Sequence, residues 1–199
     1  MSVTAARGTL GTMAAEAPLE PTETGLVATG EGWFVLNARE ARWYQAEGRG
    51  ARLSFEGETE FPQVGVNLYV LAPGEPMGMY HWEADQEDFL VVAGEALLLI
   101  EGEERPLRAW DFVHCPPETD HIIISAGKAP CVVLAVGARE HQDDEDGWGG
   151  YRVEELARRH RAGVERETVH ADEAYAHLPH RGPVPYRAGW LPEDRSGAG

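Results

Sequence analysis

The segment His81-Trp82-Glu83-Ala84-Asp85-Gln86-Glu87 places an imidazole and two carboxyl groups at spacings that can converge. His81 and Glu83 are two residues apart, so on a β-strand both side chains leave the same face. If a turn at Ala84 to Gln86 reverses the chain, Glu87 opens the next strand and points back into the same space. His121 begins the run His121-Ile122-Ile123-Ile124 after the Pro116-Pro117 corner, and an antiparallel barrel would set it beside this group. Imidazole with carboxylate suits one divalent transition metal, so Fe, Mn, Ni, Co, Cu and Zn are all candidate ions. Glu83 has two readings. It is a further ligand, or an unbound catalytic base beside a metal-bound substrate.

Other chemistries find no support in the pattern. Cys115 and Cys131 are too few for a tetrathiolate zinc site or a disulfide framework, and their apolar neighbours suit small buried side chains. The chain has no Gly-x-Ser-x-Gly element, no glycine-rich phosphate loop and no dinucleotide fingerprint. His114 is expected to pack or hydrogen-bond, His141 to be solvated, and Asp85, Gln86 and Asp88 to occupy turn and outward positions. Trp82, Phe89 and Trp110 are expected as packing aromatics.

The residues that must position this group read as strands. Val64, Val66, Leu68 and Val70 alternate on one face, and short β-branched or aromatic runs recur at Trp33 to Leu36, Arg52 to Phe55, Met79 to Glu83, Glu87 to Val92, Ala96 to Glu101, Trp110 to Cys115, His121 to Ser125 and Cys131 to Val136. Turn signals such as Ala72-Pro73-Gly74 and Gly94-Glu95 separate them. Short strands at intervals of roughly ten residues predict an all-β closed barrel or sandwich. The spacing of Val153, Leu156 and Ala157 predicts one amphipathic helix over Tyr151 to His160, and Ala171 to Leu178 a further helical turn. The resulting division is a flexible leader over 1–25, a β-barrel over 26–140, and a C-terminal helix with an extended tail over 141–199 packed on the barrel or on a partner subunit.

With 17 basic against 34 acidic residues the 199-residue chain carries a net charge of -17, which repels phosphate backbones and anionic lipid. No basic patch offsets that field, so nucleic acid and membranes are not expected partners. No apolar stretch reaches the length of a membrane span and no export leader is seen, which makes a cytoplasmic location the expectation. The edges of a small open sheet favour a homodimer, with Trp33 to Leu36 the strand expected to exchange.

Gly74, six residues, His81, one residue, Glu83, three residues, Glu87, six residues and Gly94 resembles the first motif of the cupins. The segment Trp110 to His121, with Ser125 beyond it, resembles their second motif, and the resemblance runs from about Val64 to Val136. It implies a jelly-roll β-barrel that holds one divalent transition metal through His81, Glu87 and His121 and takes a small organic molecule inside. Glu83 stands where the family usually carries another His. Trp110 and Glu118 stand at positions usually glycine, and Ser125 at one often Asn. The activities implied are those of an oxygenase, a decarboxylase or an isomerase; the alternative is a non-catalytic module that binds or senses a carbohydrate or an organic acid.

Overall fold

The computed structural model describes residues 14–142 and 148–193. In chain order the strands are β1 (Leu19–Thr22), β2 (Gly25–Ala28), β3 (Trp43–Ala46), β4 (Arg49–Ser54), β5 (Val64–Leu71), β6 (Trp82–Glu83) and β7 (Glu87–Ala93). There follow β8 (Glu95–Ile100), β9 (Glu103–Arg108), β10 (Phe112–Cys115), β11 (His121–Ser125), β12 (Cys131–Ala138) and β13 (Gly149–Gly150). Helices α1 (Glu155–Arg159) and α2 (Ala171–Ala174) and strand β14 (Gly182–Val184) complete the described chain.

The alternation read in β5 sets the layering. Leu68 and Val70 pack outward with Trp43, Leu53 and Val132, whereas Gly65, Asn67 and Tyr69 face a cavity on the inner side. A seven-stranded antiparallel sheet runs β10-β7-β12-β5-β4-β3-β14, and a three-stranded sheet runs β11-β8-β9. Phe89, Val91 and Val133 from the larger sheet meet Leu98, Ile122 and Ile124 from the smaller one in a shared core. The fold is all-β, an antiparallel jelly roll, because two sheets each apolar on one face bury those faces together. No helix among the described residues is long and apolar enough to cross a membrane.

Several elements differ from the sequence reading. Residues 14–25 are not a free leader: β1 pairs with β2, Ala17 is buried, and Ala17 N–H bonds Trp33 O at 2.8 Å. Residues 1–13 of that leader lie outside the described residues, as do 143–147 and 194–199. Trp33 to Leu36 makes no strand; Trp33 has only a single bridge, to Glu16, and both Trp33 and Val35 are exposed. Strand β9 carries no apolar alternation, because its Glu103, Glu104, Arg105 and Pro106 are the charged and proline residues that guard an exposed edge. The helix expected over Tyr151 to His160 is confined to Glu155–Arg159, capped by Glu154, whose carboxylate accepts from Leu156 N–H.

The C-terminal tail folds back on its own chain. Strand β14 pairs antiparallel with β3, Val184 opposite Trp43, and the Trp190 ring lies 5.2 Å from the fully buried Trp43 ring. Arg39 donates to the Tyr186 hydroxyl at 2.7 Å. This covers the outer face of the sheet with aromatic surface that water would otherwise meet.

Trp110 and Glu118, the residues at family glycine positions, have φ of 77° and 66°. The backbone keeps the left-handed conformation without the glycine that makes it inexpensive. Each turn is fixed by a hydrogen bond: Trp110 N–H to Val91 O and Glu118 N–H to Glu83 O, both 2.7 Å. Trp110 is not a packing aromatic as expected but is 73% exposed. Replacing Glu118 by glycine removes a steric cost of about 1 kcal/mol and adds a smaller entropic cost in the unfolded chain. The thermal midpoint of Glu118→Gly is therefore expected to rise by up to about 2–4 °C. A lower midpoint by differential scanning calorimetry would show that the Glu118 side chain itself stabilises the turn.

Candidate metal centre

His81 and His121 are neighbours because their backbones form a reciprocal antiparallel bridge, with His121 N–H to His81 O at 2.8 Å and His81 N–H to His121 O at 3.2 Å. His81 directly precedes β6 and His121 opens β11, so two segments forty residues apart are tied at this point. Glu87 opens β7 and is held between Cys115 of β10 and Gly137 of β12. Strand β6 pairs with β13 rather than with β7, so the turn at Ala84 to Gln86 carries Glu87 into a different sheet.

The ligating atoms converge. Glu87 Oε2 lies 3.1 Å from His121 Nε2 and 3.5 Å from His81 Nε2. One atom from each of His81, Glu87 and His121 falls within 4.8 Å of the other two. Both rings are oriented in the same way: His81 Nδ1 meets Met79 O at 2.7 Å, and His121 Nδ1 meets Thr119 O at 2.9 Å. A carbonyl acceptor at Nδ1 fixes a proton there, so that in the neutral ring it is Nε2 whose lone pair faces the cluster. Glu83 is brought to the same cavity, its Oε1 3.7 Å from His81 Nε2, but stands outside the three-residue set.

Electrostatics follow from burial against pairing. Burial opposes a charged His81, yet bonding and attraction to Glu83 and Glu87 prevail and push it up to about 10. Burial likewise opposes a charged His121, and its contacts with Cys115 and Glu87 raise it to about 9. Glu87 is disfavoured as an anion by burial but is held below the usual carboxylate range by His121 and His81. Glu83 moves the other way: burial, with the like charge of Glu87 beside it, raises its carboxyl above the ordinary value.

These atoms fit a transition-metal ion. Glu87 Oε2 and His121 Nε2 are buried and 3.1 Å apart, yet neither makes a hydrogen bond of good geometry. Orphaned buried polar atoms are costly unless something fills the gap between them. An ion bound at about 2.1 Å holds adjacent ligand atoms roughly 3.0–3.4 Å apart, a range that includes the observed 3.1 Å and ends just short of the observed 3.5 Å.

The cavity beside the cluster has a volume of about 380 Å³. Tyr151 stacks on the His81 ring at 5.9 Å and meets Tyr175 edge-on at 5.8 Å. The Tyr175 hydroxyl accepts from Met79 N–H at 3.0 Å, and a Cβ on Gly78 would come within 2.7 Å of it, so only glycine leaves it room. Arg49, Arg52, Arg139 and Arg181 line the same cavity. Sequence reasoning singled out none of these tyrosines and arginines for the site, since each lies in a segment with no motif of its own.

The remaining candidates lie elsewhere. His114 Nδ1 bonds Asp88 Oδ1 at 2.8 Å, and Gln86 is exposed and donates to Asp88 Oδ2 at 2.6 Å. Asp85 is not an outward turn residue but is buried. It accepts from His141 N–H at 2.9 Å and lies 2.6 Å from His141 Nδ1, so His141 is bonded rather than merely solvated.

Comparison with known proteins gives one family match, the cupin domain, over residues 67–137. No curated protein matches the chain. Among solved structures it is similar to a sugar phosphate isomerase from the cupin superfamily of Silicibacter pomeroyi, at 28% identity and TM-score 0.42, covering 45% of this chain and 59% of that one. It is similar to KdgF from Halomonas sp. at 23% identity and TM-score 0.46, covering 57% of this chain and 98% of that one. A cupin 2 conserved barrel domain protein from Salinispora arenicola is similar at 23% identity and TM-score 0.41, covering 47% and 79% of the two chains. The chain thus spans less than two thirds of the isomerase's length. His81, Glu87 and His121 all lie inside the matched segment, and residues 67–137 are a cupin domain.

Proposed function

We propose that this cupin holds one divalent transition metal through His81, Glu87 and His121 and isomerises a small organic molecule in the adjoining cavity, with Glu83 moving the proton. The observation that carries this reading is the pair of buried atoms without a well-formed hydrogen bond, Glu87 Oε2 and His121 Nε2, 3.1 Å apart with His81 Nε2 close by. A bound ion supplies a Lewis acid able to polarise a carbonyl oxygen. Glu83 contributes a carboxyl whose affinity for protons is raised by burial, so it both accepts and returns a proton nearer neutrality than a solvated glutamate does. Tyr151 stacks on the His81 ring, and Tyr151 and Tyr175 line the cavity beside it. Proton transfer next to a carbonyl is a reaction that a carboxyl of raised proton affinity beside a Lewis acid can serve. Fold alone does not choose the reaction, since one barrel hosts many activities.

Metal uptake tests the three ligands. His81 and His121 hold protons up to about 10 and about 9 when no ion competes, so at pH 7 an incoming cation must displace them. Affinity for Zn, Mn, Ni or Fe is expected to rise with pH between 6 and 9, by about tenfold per unit for each proton released. Isothermal titration in buffers of different ionisation heat counts those protons. His121→Ala and Glu87→Ala are expected to weaken uptake by more than about 100-fold and Glu83→Gln by less than about tenfold. No uptake of any of these ions at pH 8 overturns the reading. Full uptake with no turnover of any hydroxy-carbonyl compound leaves the non-catalytic binding module in its place.

Pairing of two copies belongs to the same proposal. Strand β10 is bonded on one side only, and Phe112 on it and Trp110 beside it are exposed. Light scattering at micromolar concentration is expected to give twice the 21.8 kDa chain mass; a monomer mass overturns it.

A further inference from the structure

In a chain of net charge -17, three guanidinium groups line one half-buried cavity, and none of them is ion-paired with a described carboxylate. Arg49, Arg52 and Arg181 make no ion pair with any described residue, whereas Arg139 beside them is clamped by both carboxylate oxygens of Glu56. Each of the three is tethered through neutral acceptors alone. Arg52 Nε donates to Asn67 Oδ1 at 3.1 Å, and Arg49 Nη1 to Pro179 O at 3.2 Å, with the Arg49 guanidinium 4.8 Å over the Tyr175 ring. Arg181 donates through Nε to Gly50 O at 3.2 Å and through Nη2 to Met77 O at 3.5 Å. A guanidinium has five N–H donors, so these tethers fix the forks and leave most donors free. Glu60, which also lines the cavity, is exposed and accepts from Gln142.

Grouping like charges away from bulk water is unfavourable, and the strain registers on Arg181, held below the ordinary arginine range by burial and by the charges of Arg49 and Arg52. Evolved structures retain such an arrangement where an anion completes it. The same cavity is lined by His81, Glu83 and Glu87, and its volume of about 380 Å³ lies at the small end of the range for ligand pockets.

We infer that the cavity takes a small organic acid whose carboxylate or phosphate sits among Arg49, Arg52 and Arg181 while its reactive end faces His81 and Glu83. The anion-binding half stands on the arginines alone; only the orientation of the molecule rests on the metal reading above. The two are therefore separable by experiment.

Metal-free full-length protein is titrated calorimetrically with inorganic phosphate and, separately, with acetate, at constant ionic strength set by sodium chloride. At least one of the two is expected to bind and to raise the thermal midpoint of the wild type, where equal ionic strength of chloride does not. Arg52→Gln and Arg49→Gln are expected to weaken that binding by about tenfold or more, Arg181→Lys by less, and Arg105→Gln, on the exposed β9 edge, not at all. Tighter binding of phosphate identifies a phosphorylated substrate, and tighter binding of acetate a carboxylic acid. Metal uptake measured on Arg52→Gln is expected to equal that of the wild type. Absence of any midpoint shift with either ion, or equal binding by the wild type and both glutamine variants, overturns the inference. Loss of metal uptake with anion binding intact overturns the metal reading alone.

Discussion

A two-bond backbone clasp between His81 and His121 is the constraint on which the site depends. It is local in geometry and remote in sequence, and it ties the end of the loop after β5 to the first residue of β11. Each imidazole also bonds the carbonyl two residues before it, Met79 for one and Thr119 for the other. Ring direction is thus set by main chain at both positions, and a small shift of either strand would turn both Nε2 atoms away from Glu87. The strained turn at Glu118 belongs to the same framework, because its N–H holds the carbonyl of Glu83.

How much of this could be read beforehand depends on whether the determinants are neighbours in the chain. His81, Glu83 and Glu87 announce themselves because their spacing is meaningful on any strand, and His121 because it follows a proline corner and opens an unbroken run of isoleucines. The β5 alternation gave the layering for the same reason. The arginines carry no such mark. Arg52 meets the site through the order β4-β5-β12-β7, and Arg181 through a tail that doubles back across the sheet; neither fact is a property of the residues flanking them. Asp85 and His141 illustrate the same limit, since a buried acid bonded to a histidine fifty-six residues away looks locally like turn composition.

The errors at the edges have a common physical origin. Strand β9 is built from charged residues and proline, and Trp33 to Leu36 from aromatic and aliphatic ones, yet only the first is a strand. Propensity describes a residue on a half-buried pleated surface, and at an edge the requirement to discourage a second chain outweighs it.

Because Arg181 sits one residue before β14, the last strand to join the larger sheet also furnishes part of the cavity wall. In chain order both halves of the imidazole clasp precede residue 181, so the bridge between His81 and His121 needs nothing from the segment that brings Arg181 to the cavity wall. A change in the tail that loosens β14 from β3 would therefore alter the arginine side of the cavity while leaving the clasp in place.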